Sequence, residues 1–177
     1  MPLKGRMPSS KYESPDYDVV MKEDSCEIRK YTDFYMVEYD NASDPDMNSG
    51  FRTLFKYISS ENKANEKISM TVPVIQQETS KNRKMAFVVP EKYRGQVPEP
   101  NDPNLKVQHF EDGLFGAIRY SGKTSRSKEK EMKEKLDAWL EEKGYKKQSH
   151  YMVAVYNGPF ILPMMRRNEV WARIEKA

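Results

Sequence analysis

The chain has 177 residues, the size of one domain or two small ones. Charged residues make up 32 % and the hydrophobic set 37 %, yet 11 Tyr, 7 Phe and 2 Trp supply enough aromatic surface for a core and argue against disorder. Thirty basic against 27 acidic residues gives +3, too balanced to point to nucleic acid. No stretch approaches the roughly 18 apolar residues of a spanning helix, and a single Cys (Cys26) excludes an intrachain disulfide or a zinc site with several thiolates. The first residues are cationic without an apolar h-region, so no secretory signal is read there and a cytoplasmic protein is expected.

Residues 1–16 are polar, with Pro2, Pro8 and Pro15, and are expected to form a loose arm. Order should begin near Tyr17 as one domain over 17–177, with halves at about 17–92 and 104–177. Cys26–Tyr31 and Phe34–Tyr39 read as strands joined by a Thr32-Asp33 turn. Asp44 followed by Pro45 reads as an N-cap and first helical residue. Met47, Phe51, Leu54, Phe55 and Ile58 then fall on one helical face. Ile68–Val74 reads as a strand whose Pro73 must sit at an edge or bulge, and Lys84–Val89 as the next. A connector rich in proline (Pro90, Pro98, Pro100, Pro103) follows.

The order then recurs. Leu105–Phe110 and Leu114–Tyr120 read as strands. Ser125–Lys143 reads as a charged amphipathic helix with Met132, Leu136, Trp139 and Leu140 on its stripe and Gly144 at C′. His150–Tyr156 and Glu169–Ile174 complete the series. The pairs Phe34/Leu114, Met70/Met152 and Met85/Glu169 lie 80, 82 and 84 residues apart, which suggests two β-β-α-β-β repeats. One such unit leaves two sheet edges and a thin core, so two together are expected. The fold class read from this is α+β: a distorted eight-stranded antiparallel barrel-like sheet flanked by two helices.

Catalytic signals are sparse. His109 and His150 lack the paired spacing of a metal motif, and each is read as a strand residue with one hydrogen bond. There is no G-x-S-x-G elbow, phosphate-binding glycine loop or H-E-x-x-H helix, so no catalytic residue is assigned. The unusual segment is Asn157–Asn168, where Phe160, Ile161, Leu162, Met164 and Met165 crowd a loop that should be polar, followed by Arg166 and Arg167. Apolar surface beside cations suits a flat hydrophobic anion. A lid with both arginines paired to acids is the equal alternative.

Asn65-Glu66-Lys67-Ile68-Ser69-Met70-Thr71-Val72-Pro73-Val74 and Arg166-Arg167-Asn168-Glu169-Val170-Trp171, with the Gly50–Ser59 helix ahead of the first, resemble the SOUL haem-binding protein family over about Tyr17 to Ile174. The resemblance implies a distorted barrel of two β-β-α-β-β halves and non-enzymatic, reversible binding of haem or another tetrapyrrole as carrier, buffer or sensor. It places the ligand in an apolar cleft beside the first helix: Phe51, Leu54, Phe55 and Ile58 match the helix face, Lys56 the basic position before Tyr57, and Met164 and Met165 the loop. The sequence departs at Asn157-Gly158-Pro159, where the family has Pro-Pro, and holds no His before the first helix, so non-covalent binding without a strong axial ligand is expected. The alternative is a gyrase-inhibitor-like effector-binding or protein-interaction module, with a partner docking on the 158–167 loop. A monomer without nucleic-acid partners or a membrane span is expected.

Overall fold

A computed structural model describes residues 11–177 in full and the backbone of Leu3–Lys4. In chain order the strands are β1 (Leu3–Lys4), β2 (Tyr17–Glu23), β3 (Cys26–Tyr31) and β4 (Phe34–Tyr39). Helix α1 (Gly50–Ile58), β5 (Val74–Glu78), β6 (Arg83–Val88), β7 (Leu105–Phe110) and β8 (Gly113–Tyr120) follow. Helix α2 (Arg126–Glu142), β9 (Tyr145–Lys147), β10 (Met152–Val155) and β11 (Asn168–Lys176) complete the chain. The protein is α+β, with antiparallel strand pairing and two helices, as expected. The β-β-α-β-β order is present twice, with β1, β2 and β9 as additional strands beyond the eight expected.

Contacts divide the chain into two compact units that do not coincide with the sequence halves. One takes β1, Asp16–Thr32 and Asp112–Ala177, the other residues 11–15 and Asp33–Glu111. In the first unit the strand order is β1-β2-β3-β8-β11-β10, and β9 also pairs with β11. Strands β2 and β3 therefore belong with the second half of the sequence. The reason is apolar: Cys26 and Ile28 of β3 join Met132, Leu136, Trp139 and Leu140 of α2 in one core with Ile118, Val153 and Val170. Ser125 caps α2 by accepting the Lys128 N–H at 3.2 Å, and Gly144 closes it with φ +81°. Gly116 of β8 has no side chain because α2 lies close: a Cβ there would stand 2.8 Å from Leu140 Cδ2.

In the second unit the order is β5-β6-β4-β7, and α1 packs on β4 and β6. Leu54, Tyr57 and Ile58 of α1 meet Val37, Tyr39, Met85, Phe87 and Leu105. The strand path does not return on itself, so the barrel-like sheet expected from sequence is not a closed barrel.

Three local expectations are corrected. Asp44 does not start α1. Its carboxylate accepts the N–H groups of Asn48 and Ser49 at 2.9 and 2.8 Å and the Tyr39 hydroxyl at 2.9 Å, which holds residues 44–49 in turns, with Met47 at φ +62°. The helix begins only at Gly50. Ile68–Val74 is not a strand; β5 starts at Val74, after Pro73. Asn62 ties the preceding loop to the helix end by donating to the carbonyls of Tyr57 (3.0 Å) and Glu66 (2.8 Å), and the Ile68 N–H donates to Ile58 O at 2.8 Å. Those bonds use the backbone that a strand would have needed. His150 lies outside β10. Of the arm expected over 1–16, residues 1–2 and 5–10 lie outside the described residues; Glu13 accepts the Val72 N–H at 2.9 Å and the Glu91 N–H at 2.7 Å, so that stretch is tied down.

Candidate functional site

Helix α1 buries Gly50, Leu54, Tyr57 and Ile58 and leaves the next strip of its surface apolar. Phe51 and Phe55 are 48 % and 49 % exposed, and their rings are parallel within 15° at 6.2 Å between centroids. Phe51 also leans edge-on against Phe87 of β6 at 5.5 Å, which fixes the pair on the helix surface. The apolar stripe is wider than the core needs. Tyr57 fills the buried side, its hydroxyl donating to Pro98 O, and the two phenyl rings are left outside. Arg52 and Lys56 follow each ring by one residue and are exposed, and α1 carries no acidic side chain. The face therefore offers two aromatic rings bordered by two cations.

Of the helix residues expected at a site, Phe51, Phe55 and Lys56 are at the surface, whereas Leu54 and Ile58 support it from the core. Met164 and Met165 belong to the other unit, on the loop between β10 and β11, where they are 79 % and 69 % exposed. That loop carries a short 3-10 turn at Pro163–Met165. Its two arginines diverge. Arg166 donates from Nε to Ile161 O at 2.8 Å and from Nη2 to Pro159 O at 3.0 Å, gripping the loop backbone. Arg167 turns inward to Glu169.

Sequence reasoning missed the buried cluster around Glu169, although a pairing of Arg167 with an acid was among its alternatives. Its side chain is fully buried, and it accepts two hydrogen bonds of 2.7 Å from Arg29, one of 3.0 Å from Arg167 Nε and one of 2.9 Å from Trp171 Nε1. Arg29 also reaches Glu27 at 2.7 Å and Tyr31 at 2.9 Å, and lies over the Tyr17 ring. Arg167 lies over Tyr156, 4.0 Å from its centroid. Burial would push the Glu169 carboxyl up, but the Arg29 charge and its hydrogen bonds, with the Arg167 charge, hold it at about 2. Two cations and two carboxylates, with every oxygen of Glu169 engaged, make this a structural ion cluster rather than an open site. The signal available was an Arg at Arg29 and a Glu at Glu169 inside strands otherwise built for burial.

His109 Nε2 meets Asp33 Oδ2 at 2.8 Å, as the single hydrogen bond expected, and its ring tilts on Tyr35. Arg94 joins the same carboxylate at 2.9 Å. Among the described residues no group of three or more His, Cys, Asp and Glu could hold a metal ion. No helix among them is long and apolar enough to cross a membrane.

The sequence model of the family described as SOUL heme-binding protein matches residues 12–173. Heme-binding protein 1 of Bos taurus is 24 % identical over 161 residues, covering 87 % of this chain and 83 % of the relative. Heme-binding protein 1 of Xenopus tropicalis is 28 % identical over 125 residues, covering 67 % and 65 %. Among solved structures, an EcmrR–DNA complex superposes with a TM-score of 0.64 at 12 % identity, over 86 % of this chain and 57 % of that one. A protein described as a hydrolase from Listeria innocua gives 0.60 at 12 % identity, over 88 % and 94 %. At such identities the structural likeness speaks for the fold alone.

Proposed function

From the premise that this chain belongs to the SOUL heme-binding protein family, we propose that the exposed aromatic face of α1 takes a tetrapyrrole reversibly and that the protein acts as a carrier, buffer or sensor rather than an enzyme. The observation that carries this is the parallel pair Phe51 and Phe55, half-exposed beside Arg52 and Lys56. Haem is a flat apolar disc with two carboxylates on one edge. The rings supply a surface for the disc, and the two cations stand where the carboxylates would meet water. A micromolar complex corresponds to about 8 kcal/mol. At about 25 cal/mol per Å² that is roughly 300 Å² of apolar surface removed from water, before the cost of lost free motion is counted. One porphyrin face against two half-exposed phenyl rings supplies area of that order.

The residues fit the disc and its carboxylates better than they fit its iron. Residues 50–58 contain no His, Cys or Met, and the Tyr57 hydroxyl is committed to Pro98 O. Binding is then non-covalent and indifferent to the metal, and metal-free protoporphyrin should bind about as well as hemin. Such loose holding suits cargo that must be released. Met164 and Met165 offer a second apolar surface whose part in binding is assayed separately by Met164→Ser with Met165→Ser.

The test is absorbance titration with hemin and with protoporphyrin. Saturable micromolar binding of both, weakened tenfold or more by Phe55→Asp, supports the reading. Absence of binding by either compound, or indifference to Phe55→Asp and Phe51→Asp alike, overturns it. Phe51 and Phe55 are half-exposed, so loss of binding in these variants is read against an unchanged thermal melt.

A further inference from the structure

The loop between β10 and β11 shows water far more apolar side chain than a solvated turn does. Phe160 is 97 % exposed and Leu162 61 %, beside Met164 and Met165. Much of its backbone is bonded within the loop or to its base. The carbonyls of Gly158 and Leu162 accept the N–H groups of Ile161 and Met165, at 3.2 and 2.9 Å. Those of Pro159 and Ile161 accept the Arg166 guanidinium. The Pro163 carbonyl accepts both Gly122 N (2.7 Å) and Arg166 N (3.1 Å). Pro159 and Pro163 have no N–H to satisfy.

The charge around the tip is one-signed. Residues 157–168 contain no Asp or Glu, nor do residues 119–128, to which the loop is stitched by the Gly122–Pro163 bond and by Asn168 Nδ2 donating to Gly122 O at 2.8 Å. The next acids along each segment, Glu169 and Glu129, are buried. Lys123 is exposed, and the Arg166 guanidinium sits at the loop base on the carbonyls it grips.

We propose that this tip docks on an anionic phospholipid surface, with Phe160 and Leu162 entering the headgroup–acyl boundary and Lys123 and Arg166 held at the level of the phosphates. The other macromolecular occupants fit less well. A strand-adding partner would meet two prolines without N–H groups and the carbonyls of Gly158, Pro159, Ile161, Leu162 and Pro163 already taken. A bilayer surface takes an apolar tip with cations behind it, and both are present. The proposal uses none of Phe51, Arg52, Phe55 and Lys56, so it is tested without tetrapyrrole.

The test is co-sedimentation of the full chain, without tetrapyrrole, with vesicles of equal parts phosphatidylcholine and phosphatidylglycerol, and with phosphatidylcholine alone. Binding should favour the anionic vesicles and fall with added salt. The double variant Phe160→Ser with Leu162→Ser should weaken it on the order of tenfold or more, and Lys123→Glu at least about fivefold. Each altered side chain is exposed, so the thermal melt should not change. Three results would overturn the proposal: no sedimentation of the wild type with anionic vesicles; equal sedimentation of the double variant; or concentration-dependent self-association that the double variant abolishes while vesicles bind neither form.

Discussion

Replacing Glu169 by Gln keeps the shape of the side chain and an acceptor for Trp171 but removes the charge between two buried guanidinium groups. Glu169 accepts bonds of 2.7, 2.7 and 3.0 Å from Arg29 and Arg167 and is 0 % exposed, so water cannot replace what is lost. Breaking such a buried pair costs about 3–5 kcal/mol. The pH dependence gives a second handle. The carboxyl titrates at about 2 in the folded chain and near 4.3 in an unfolded one. A folded value below the unfolded one means stabilisation that is fully present above about pH 5 and is lost as pH falls toward 2. A difference of that size is worth about 3 kcal/mol. Both tryptophans, Trp139 and Trp171, lie in the unit that holds Glu169, so urea unfolding followed by their fluorescence reports this unit directly. Glu169→Gln should lower unfolding free energy by about 3–5 kcal/mol at pH 7, and the gap to wild type should shrink at pH 3. The pair Arg29→Met and Glu169→Gln should cost less together than the sum of the two alone. A loss under about 1 kcal/mol at pH 7, or a gap that does not change with pH, would refute the reasoning.

The remaining predictions concern the helices. Gly116→Ala should destabilise by about 1–3 kcal/mol in a thermal melt, because its Cβ would stand 2.8 and 2.9 Å from the Leu140 methyl carbons, and Leu140→Ala in the same chain should recover part of that loss. Ser125→Ala removes the acceptor for the Lys128 N–H and should cost about 1 kcal/mol by the same melt. Gly144→Ala meets nothing within 4 Å but holds φ +81°; it should cost on the order of 1 kcal/mol from backbone strain alone.

Where local pattern and tertiary packing agreed, the fold could be read directly. Strands β3, β4 and β7 begin and end where alternation and turn residues place them, and α2 runs between Ser125 and Gly144 with its expected stripe buried. Asp44 misled because its carboxylate serves N–H groups four and five residues on, which is turn chemistry rather than a cap. Ile68 misled because an apolar residue in a β-branched run can equally be a plug under a helix, and here it is buried 4 % exposed against α1. The aromatic character of α1 was legible; which rings stay outside was not, since that depends on how much stripe β4 and β6 can cover. The apolar loop was legible from composition. The division of Arg166 to carbonyls and Arg167 to Glu169 was not, because it rests on the path of the turn, which sets the way each guanidinium faces.

The central claim is that a tetrapyrrole lies on the outer face of α1. Hemin carries a paramagnetic iron, so added in substoichiometric amounts to labelled protein it should broaden the backbone amide signals of residues 51–56, while metal-free protoporphyrin shifts the same signals without broadening. If hemin leaves those signals sharp and broadens another segment instead, the ligand sits elsewhere and the account of α1 is contradicted.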